Sequence, residues 1–307
     1  MTLLEFFNAE YKPRRLFGKS PNTTRLYLLS IQSYCRTIGR QARLEDLTDN
    51  GLRRHMESVV AAGRSPATAN KDRAQLLALW RLAFHLRLHD VSPDVQPYKE
   101  PERTPVAWLS DELAKLFDTI NGLDGFLLTV PRSLWWHTLI RLSLETGERI
   151  GALANAQWLW LRGEWLFVPA EARKGSRSDR CYRLSPEVVA MLEQIRQYKA
   201  SDTKIFVWPY CSAYLWTKYK DILKLAKLPH GRRDMFHKHR RTTGSVAYAA
   251  GLDPQDVLDH QYRRTTKRYL DVRFTRTQQP CDILASYLAS PGLRDAPPAS
   301  LPQQRQA

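Results

Sequence analysis

The sequence predicts a mainly α-helical chain with a small β-sheet, an α+β fold divided between two domains. Helical periodicity fills the first hundred residues, and a proline-rich stretch follows them. The alternating segment WLWLRGEWLFVPA then indicates a β-hairpin that turns around Arg162 and Gly163. Apolar residues make up 43% of the 307 residues, which is enough to bury a sizeable core.

Three helices are predicted in the first domain, residues 1–95. The first follows the capping segment PNTT, and the second, LEDLTDNGLRRHMESVVAAG, ends at Gly63. The third opens at the segment SPAT and continues as ANKDRAQLLALWRLAFHLRL. Its Leu76, Trp80 and Phe84 fall on one stripe, and such a stripe predicts a side chain row that faces the core.

A domain boundary is predicted where residues 91–106 contain four prolines and several charges, and we place the linker at 96–106. The second domain is predicted to cover 107–290, with Ser110 as the N-cap of its first helix. The tail, 291–307, is rich in Pro, Ala and Gln, a composition typical of disorder. Further helical patterns occur at 185–198, 212–228, 237–250 and 253–259.

The charge of the chain favours a polyanionic partner. Lys and Arg number 47 against 31 Asp and Glu, a net charge of +16 that is spread over both predicted domains. Nucleic acid is the commonest partner of such surfaces, and the alternative is a soluble protein whose basic charge has no such role. The four cysteines form no CxxC pair, which argues against a zinc site and fits a reducing compartment. Neither a signal peptide nor a long apolar run is present, so we expect a cytoplasmic protein.

Two short segments in the first half of the second domain hold candidate functional residues. In Thr146-Gly147-Glu148-Arg149 the glycine permits a turn after an apolar helix, and an arginine follows at once. Lys174 lies in the basic segment RKGSRSDRCYRL, where a second turn between strands is predicted. Taken singly, each has a simpler interpretation: an arginine at a helix end, and a solvated lysine or nonspecific phosphate contact.

Two more segments follow near the end of the domain. His237 and Arg240 are three residues apart, so on a helix they share one face and can present an imidazole and a guanidinium to one phosphate. Tyr269 follows His260 by nine positions, and we expect Thr265 or Thr266 to cap the helix that carries this tyrosine. The simpler interpretations are a basic DNA-facing helix and a structural tyrosine.

In this order, the four segments resemble the tyrosine recombinase, or phage integrase, family over roughly residues 20–275. The family has a TGxRxxE-like box, a hairpin lysine, an HxxR pair, a second His or Trp, and a tyrosine nine residues after it. The segment SPATANKDRAQLLALWRLAF is similar to its core-binding helix. The resemblance implies a helical, SAM-like core-binding domain followed by a tyrosine recombinase catalytic domain. The matching residues are Arg149, Lys174, His237, Arg240, His260 and Tyr269.

Several positions depart from the family pattern. Ala152 stands where the family often has a glutamate that supports the arginine, and Arg241 stands where a histidine is common. Asp259 replaces the glycine before the second histidine, and the stretch from Gly251 to His260 is shorter than usual. None of these changes removes a catalytic group, and together they indicate a divergent branch.

The resemblance implies a site-specific recombinase that cuts and rejoins DNA through a 3′-phosphotyrosine and a free 5′-hydroxyl, with Tyr269 as the nucleophile. Arg149 and Arg240 would clamp the nonbridging phosphate oxygens with paired N–H donors, so neither a metal nor a nucleotide cofactor is expected. The other implied roles are general acid at the 5′-oxygen for Lys174, proton transfer at the phenol for His237, and a hydrogen bond to a nonbridging oxygen for His260.

Double-stranded DNA with specific recombination sites is the implied partner, bound by a homotetramer. The segment PCDILASYLAS is a candidate helix for docking on a neighbouring subunit. A helix start in the first domain is a candidate for groove contact, or else a solvated helix end: Thr68, Asn70, Lys71 and Arg73. Backbone phosphate contacts are predicted for Arg173, Arg177, Arg232, Arg233, Lys238, Arg241, Arg263, Arg264, Lys267 and Arg268.

Two other functions stay open at this point. A type IB topoisomerase-like enzyme uses the same groups but relaxes DNA without exchanging strands. A catalytically inactive, recombinase-derived protein would bind DNA only. The helical first domain and the HxxR spacing favour the recombinase over the topoisomerase, and the presence of all six groups disfavours the inactive protein.

Overall fold

A computed structural model describes residues 1–173, 175 and 178–275. Lys174 and Arg177 lie outside the described residues, as do the predicted docking segment and the predicted disordered tail. The chain divides into two compact units, Met1–Arg103 and a second that begins at Thr104. None of the helices in the described part has the length and apolar character needed to span a membrane.

The first unit is helical. Its short first helix α1 continues through a π-helical turn, Phe7–Tyr11, into α2, and a 3-10 turn, Leu44–Asp46, precedes α4. The buried faces of α3, α4 and α5 meet in one apolar core that includes Ile31, Leu52 and Trp80. The helices are α1 Leu3–Phe6, α2 Lys12–Arg15, α3 Pro21–Ile38, α4 Asp49–Ala61 and α5 Pro66–His85.

Two details of this unit differ from the prediction. Helix α4 begins at Asp49 because the Thr48 side chain accepts the Gly51 amide and caps the helix there. Leu76 and Trp80 of α5 are fully buried as predicted, but Phe84 is 42% exposed. Two steps of four residues rotate the side chain by about 80° around a helix of 100° per residue, so the buried stripe continues through Ala83 instead.

The second unit combines nine helices in its described part with two small antiparallel sheets. The α+β fold class is confirmed. The helices are α6 Ser110–Asn121, α7 Arg132–Thr146, α8 Ile150–Leu153, α9 Pro186–Gln197, α10 Ser212–Leu225, α11 His237–Ala249, α12 Pro254–Leu258, α13 Arg263–Lys267 and α14 Val272–Thr275. The strands are β1 Phe126–Leu127, β2 Val130–Pro131, β3 Leu161–Arg162, β4 Trp165–Val168 and β5 Arg180–Arg183.

The three-stranded sheet has the order β3-β4-β5, with Leu161 opposite Leu166 and Val168 opposite Arg180. The predicted hairpin is confirmed, since the β3–β4 turn passes through Gly163 at φ 57°. Ser110 is the first residue of α6 and not its cap, so that prediction is wrong by one position. The Glu112 carboxylate accepts the amide of Leu109 there.

Helix α7 positions the functional segments because it packs against α6, α9 and α11. Its buried face includes Trp136 and Leu139, and Trp136 stacks near Phe236, just before α11. The helix ends at Gly147, whose φ of 60° only glycine adopts without strain. A Cβ at this position would lie 3.0 Å from the Thr243 methyl, so the turn after α7 fits closely against α11.

Candidate active site

The start of α11 brings an imidazole to the tyrosine phenol. Tyr269 Oη and His237 Nε2 are 2.6 Å apart, and their ring centroids are separated by 5.0 Å. Arg240 lies one turn further along α11, and its Cζ atom is 5.8 Å from the centroid of the Tyr269 ring. The i, i+3 spacing read from the sequence therefore does place both side chains beside the tyrosine.

The backbone of Tyr269 is anchored to the same helix. Its amide donates to Thr266 O at 2.8 Å, and its carbonyl accepts from Ser245 Oγ of α11 at 3.3 Å. The Asp271 amide donates to the same Ser245 oxygen at 2.9 Å. One helix thus holds the phenol and the peptide that carries it.

The prediction that a threonine caps a helix bearing Tyr269 is wrong. Helix α13 ends at Lys267, so the tyrosine lies two positions beyond it, and no side chain caps the α13 N-terminus. Thr266 instead pairs its Oγ1 with Nδ1 of His260 at 3.2 Å. A threonine near the C-terminal end of a helix cannot cap the N-terminus of that helix, so its hydroxyl is available to another segment.

His260 packs against the tyrosine from a second side, with ring centroids 4.6 Å apart. The residue is buried, at 6% exposed. Within the described chain its Nε2 atom has no hydrogen-bond partner. A buried polar nitrogen without a protein partner is costly, so this atom points to a ligand that it can bind.

Arg240 is 2% exposed and binds two backbone carbonyls, that of Gly147 after α7 and that of Leu258 at the end of α12. Its Nε atom is buried and has no hydrogen-bond partner in the part of the chain that the structure describes. The guanidinium therefore joins three segments and keeps its Nε–H group for a further acceptor.

Arg149 lies just before α8, and its guanidinium forms no hydrogen bond or ion pair with the described residues. Its positive charge nevertheless lowers the pKa of Arg240, of His237 and of His260, after the larger effect of burial on each. Two neighbouring guanidiniums, one of them without a partner among the described residues, create a positive potential suited to an anion.

Both histidines are held neutral. Loss of hydration, followed by the charges of Arg241, Arg240 and Arg149, lowers the pKa of His237 to about 4. Burial, followed by the charges of Arg240 and Arg149, lowers the pKa of His260 to about 4 as well. At neutral pH, His237 Nε2 is therefore able to accept the phenol proton.

These pKa values make stability depend on pH. Burial lowers the pKa of His239 to about 3, and His260 behaves similarly. The unfolded chain then binds more protons between pH 6.5 and 4, so we expect the free energy of unfolding to fall as pH drops through this window. The slope is at most about 1.4 kcal/mol per pH unit for each histidine.

Urea unfolding between pH 7 and 4.5 would measure that slope, since most carboxylates titrate below this range. His260→Gln should lower the slope by the contribution of one histidine, and replacement of the exposed His85 by Gln is the control. A free energy of unfolding that is constant over the window would contradict the depressed pKa values.

Several residues predicted to contact DNA are engaged otherwise. Arg173 is 2% exposed and pairs with Glu148 and Asp259, and Lys238 is 1% exposed, with Nζ 3.5 Å from the centroid of the Trp108 ring. These two predictions are wrong for this structure, because neither side chain reaches the surface.

Two further arginines predicted to contact DNA bind backbone carbonyls. Arg233 donates to the carbonyl of Thr104, and Arg241 donates to that of Arg233. Exposed side chains are those of Arg232, Arg263, Arg264, Lys267 and Arg268, for which DNA contact stays a prediction.

The predicted groove residues of α5 mostly serve the first unit itself. Asn70 exchanges two hydrogen bonds with the Tyr98 backbone, both 2.8 Å long, and Arg73 Nε donates to Val95 O at 2.7 Å. Groove contact by these two is therefore not supported, because their polar groups hold the chain that follows the helix. Lys71 has an exposed side chain, while the Thr68 hydroxyl pairs with that of Ser65 at the helix start.

Sequence reasoning missed the carboxylates around the site. Glu148 stands inside the arginine box, is 2% exposed, and accepts the Arg149 amide at 2.7 Å. Asp271 follows the tyrosine by two positions, is 1% exposed, and accepts the amide of Ala107 at 2.7 Å. The available signal was a carboxylate within two positions of Arg149 and of Tyr269, but nothing local indicates its burial.

Comparisons with known proteins agree with this arrangement. The sequence model described as "Phage integrase family" matches residues 109–276, and no match to the chain was found among curated protein sequences. A solved lambda integrase dimer bound to a COC′ core site has a TM-score of 0.71 at 18% identity, over 91% of this chain and 99% of that one. A lambda integrase tetramer bound to a Holliday junction has a TM-score of 0.69 at 17% identity, over 91% and 79%.

The Tn1549 transposon integrase in complex with circular intermediate DNA has a TM-score of 0.68 at 15% identity, covering 94% of this chain and 99% of that one. At such identities the structural likeness establishes the fold. The match of the family sequence model, which spans more than half of the chain, carries the relationship itself.

Proposed function

The chain belongs to the phage integrase family and is a tyrosine-type site-specific DNA recombinase, and from this premise we propose that Tyr269 is its nucleophile. The observation that carries the proposal is the 2.6 Å contact between the phenol oxygen and Nε2 of a neutral His237. In the proposed step, the phenol oxygen attacks a DNA phosphorus, its proton passes to His237, and the bond to the 5′-oxygen breaks.

Two arginines are proposed to stabilise the charge that develops on the nonbridging oxygens. Arg149 has an unpaired guanidinium in the described chain, and Arg240 keeps a buried Nε–H without a partner there. If the Thr266 hydroxyl donates to Nδ1 of His260, the proton of this ring lies on Nε2 and is available to the same phosphate. Fixed donors aimed at developing charge are usually the largest catalytic contribution.

The leaving 5′-oxygen needs a proton, and we assign that role to Lys174, which lies outside the described residues. Its neighbour Arg173 is described and is held beside Glu148, the residue before Arg149. The product is a 3′-phosphotyrosine and a free 5′-hydroxyl. Attack by a new 5′-hydroxyl reverses the step, so the phosphodiester is restored with no nucleotide cofactor.

The proposed partner is double-stranded DNA with specific recombination sites, in the cytoplasm. Exchange between two duplexes requires four strand cleavages, and we propose that a homotetramer performs them. The similar lambda integrase, solved as a tetramer on a Holliday junction, supports this assembly.

A plasmid assay tests the function. Two copies of a site selected by the full chain from random duplexes would be placed on one supercoiled plasmid. We expect deletion or inversion products whose junctions retain the site, because the covalent intermediate conserves bond energy for exchange. Relaxed plasmid without exchanged junctions would indicate a topoisomerase-like enzyme instead, and the same plasmid without the sites is the control.

A further inference from the structure

A group of opposite charges lies directly beside the proposed active site. It consists of the buried Glu148 and Arg173 and the partly exposed Asp259, and we call it the ion triad. Each member stands one position before a residue with a proposed catalytic role. The three catalytic neighbours, in the same order, are Arg149, Lys174 and His260.

Arg173 is the centre of the triad, and its guanidinium is 2% exposed. Nε lies 2.6 Å from Glu148 Oε2, and a terminal nitrogen lies 2.8 Å from Asp259 Oδ2. A second terminal nitrogen donates to Ser178 O at 2.9 Å, on the far side of the segment that contains Lys174. The planar fork of an arginine can bind three acceptors in fixed directions at once, which an ammonium group cannot do.

Glu148 connects this guanidinium to the arginine box. Its Oε1 accepts the Arg149 amide at 2.7 Å, while Oε2 also accepts from Tyr182 Oη of β5 at 2.9 Å. Burial acts to raise the pKa of Glu148, but the hydrogen bonds from the Arg149 amide and Arg173 outweigh it, so the pKa is lowered and the group is ionised. The peptide before the Arg149 side chain is therefore held by a charged acceptor.

Asp259 connects the guanidinium to the second histidine. Its φ of 51° lies in the left-handed region, where the resemblance to the family leads one to expect glycine. Asp adopts this region more readily than most residues but still at a cost, which the contact with Arg173 offsets. This residue supplies a carboxylate that contacts Arg173 and so fixes the peptide before His260.

We propose that Arg173 is a positioning residue whose guanidinium ties the peptide preceding Lys174 to Glu148 and Asp259, and thereby places the general acid. The inference rests on the proposed function. Consecutive Cα atoms are about 3.8 Å apart, so fixing the Arg173 backbone restricts where the lysine can begin. An ion triad with two buried members is a costly way to gain stability, and geometric precision is a role that an apolar cluster could not fill.

The test uses Arg173→Lys, which keeps the charge but loses the fork. The control is Arg183→Lys, an exposed arginine of β5 that pairs with Glu164 at 3.1 Å. Single-turnover adduct formation would be measured on nicked duplexes carrying the half-site that the full chain selects. One duplex has the normal 5′-oxygen, and the other has sulfur at the bridging position. A thiolate leaves without a general acid, because a thiol such as that of cysteine has a pKa of only about 8.5.

We expect Arg173→Lys to slow cleavage of the oxygen duplex by about 100-fold, since a shift of about 1 Å in a catalytic group can cost that much. The sulfur duplex should recover most of the loss, and the control should match the unaltered chain on both. Asp259→Asn tolerates the left-handed backbone and keeps the side-chain shape, so it decides the question if Arg173→Lys does not fold. Its expected loss is smaller, about 10-fold, with the same recovery.

Equal slowing on both duplexes would overturn the inference, because a misplaced general acid slows only the duplex whose leaving group needs a proton. Rates within about twofold of the unaltered chain for both variants would also overturn it, since misplaced catalytic groups cost more than this. If the unaltered chain forms no adduct on either duplex, the proposed function fails and the inference fails with it.

Discussion

Replacing Tyr269 by Phe is expected to abolish the covalent protein–DNA adduct and to leave DNA affinity within about twofold of the unaltered chain, because affinity comes mainly from backbone phosphate contacts. The substitution removes only the phenol oxygen that lies 2.6 Å from His237 Nε2. The ring keeps its packing against His237 and His260, with centroids 5.0 and 4.6 Å away. Cleavage has no other route if this oxygen is the nucleophile.

The measurement is an adduct that survives denaturing electrophoresis, formed on a nicked duplex whose cleaved end diffuses away and traps the intermediate. Tyr262→Phe is the matched control, since this tyrosine precedes α13 and is 69% exposed. An adduct that persists in Tyr269→Phe would place the nucleophile elsewhere. A control and an unaltered chain that both bind DNA without any adduct would identify a DNA-binding protein without catalysis.

The helices and turns of the fold could be predicted from the sequence, because each depends on residues that are close together in the chain. The hairpin through Gly163 and the glycine turn after α7 depend on residues whose backbone preferences can be read directly. The face shared by His237 and Arg240 follows from helical spacing alone, and their meeting with Tyr269 was inferred from a family resemblance.

Whether an individual charged side chain is buried or exposed could not be predicted from the sequence. Arg173 and Lys238 were predicted to contact backbone phosphates, yet both are buried against side-chain partners. For Arg173 these partners, Glu148 and Asp259, lie on segments far apart in the chain, so only the tertiary structure brings them together. Asn70 was likewise a candidate for groove contact or a solvated helix end, whereas in the structure it binds the Tyr98 backbone.

Replacing Arg149 by Gln is expected to lower the rate of adduct formation by about 10²- to 10³-fold, the usual cost of losing one donor that stabilises developing charge. The same change should raise the thermal midpoint of the DNA-free protein by about 1–3 °C. The guanidinium forms no hydrogen bond or ion pair in the described chain, and its charge opposes that of the buried Arg240. Its removal therefore relieves repulsion without breaking a contact.

The opposite signs of these two effects distinguish a catalytic arginine from a structural one. Single-turnover kinetics and thermal unfolding would be measured on the same preparations, with Arg53→Gln on α4 as a control for the loss of one exposed positive charge. If Arg149 had a structural role, the Arg149→Gln variant would lose activity and stability together. If the positive charge of Arg149 is instead kept for a DNA phosphate, the variant should lose activity without losing stability. An anion site must carry uncompensated charge while it is empty.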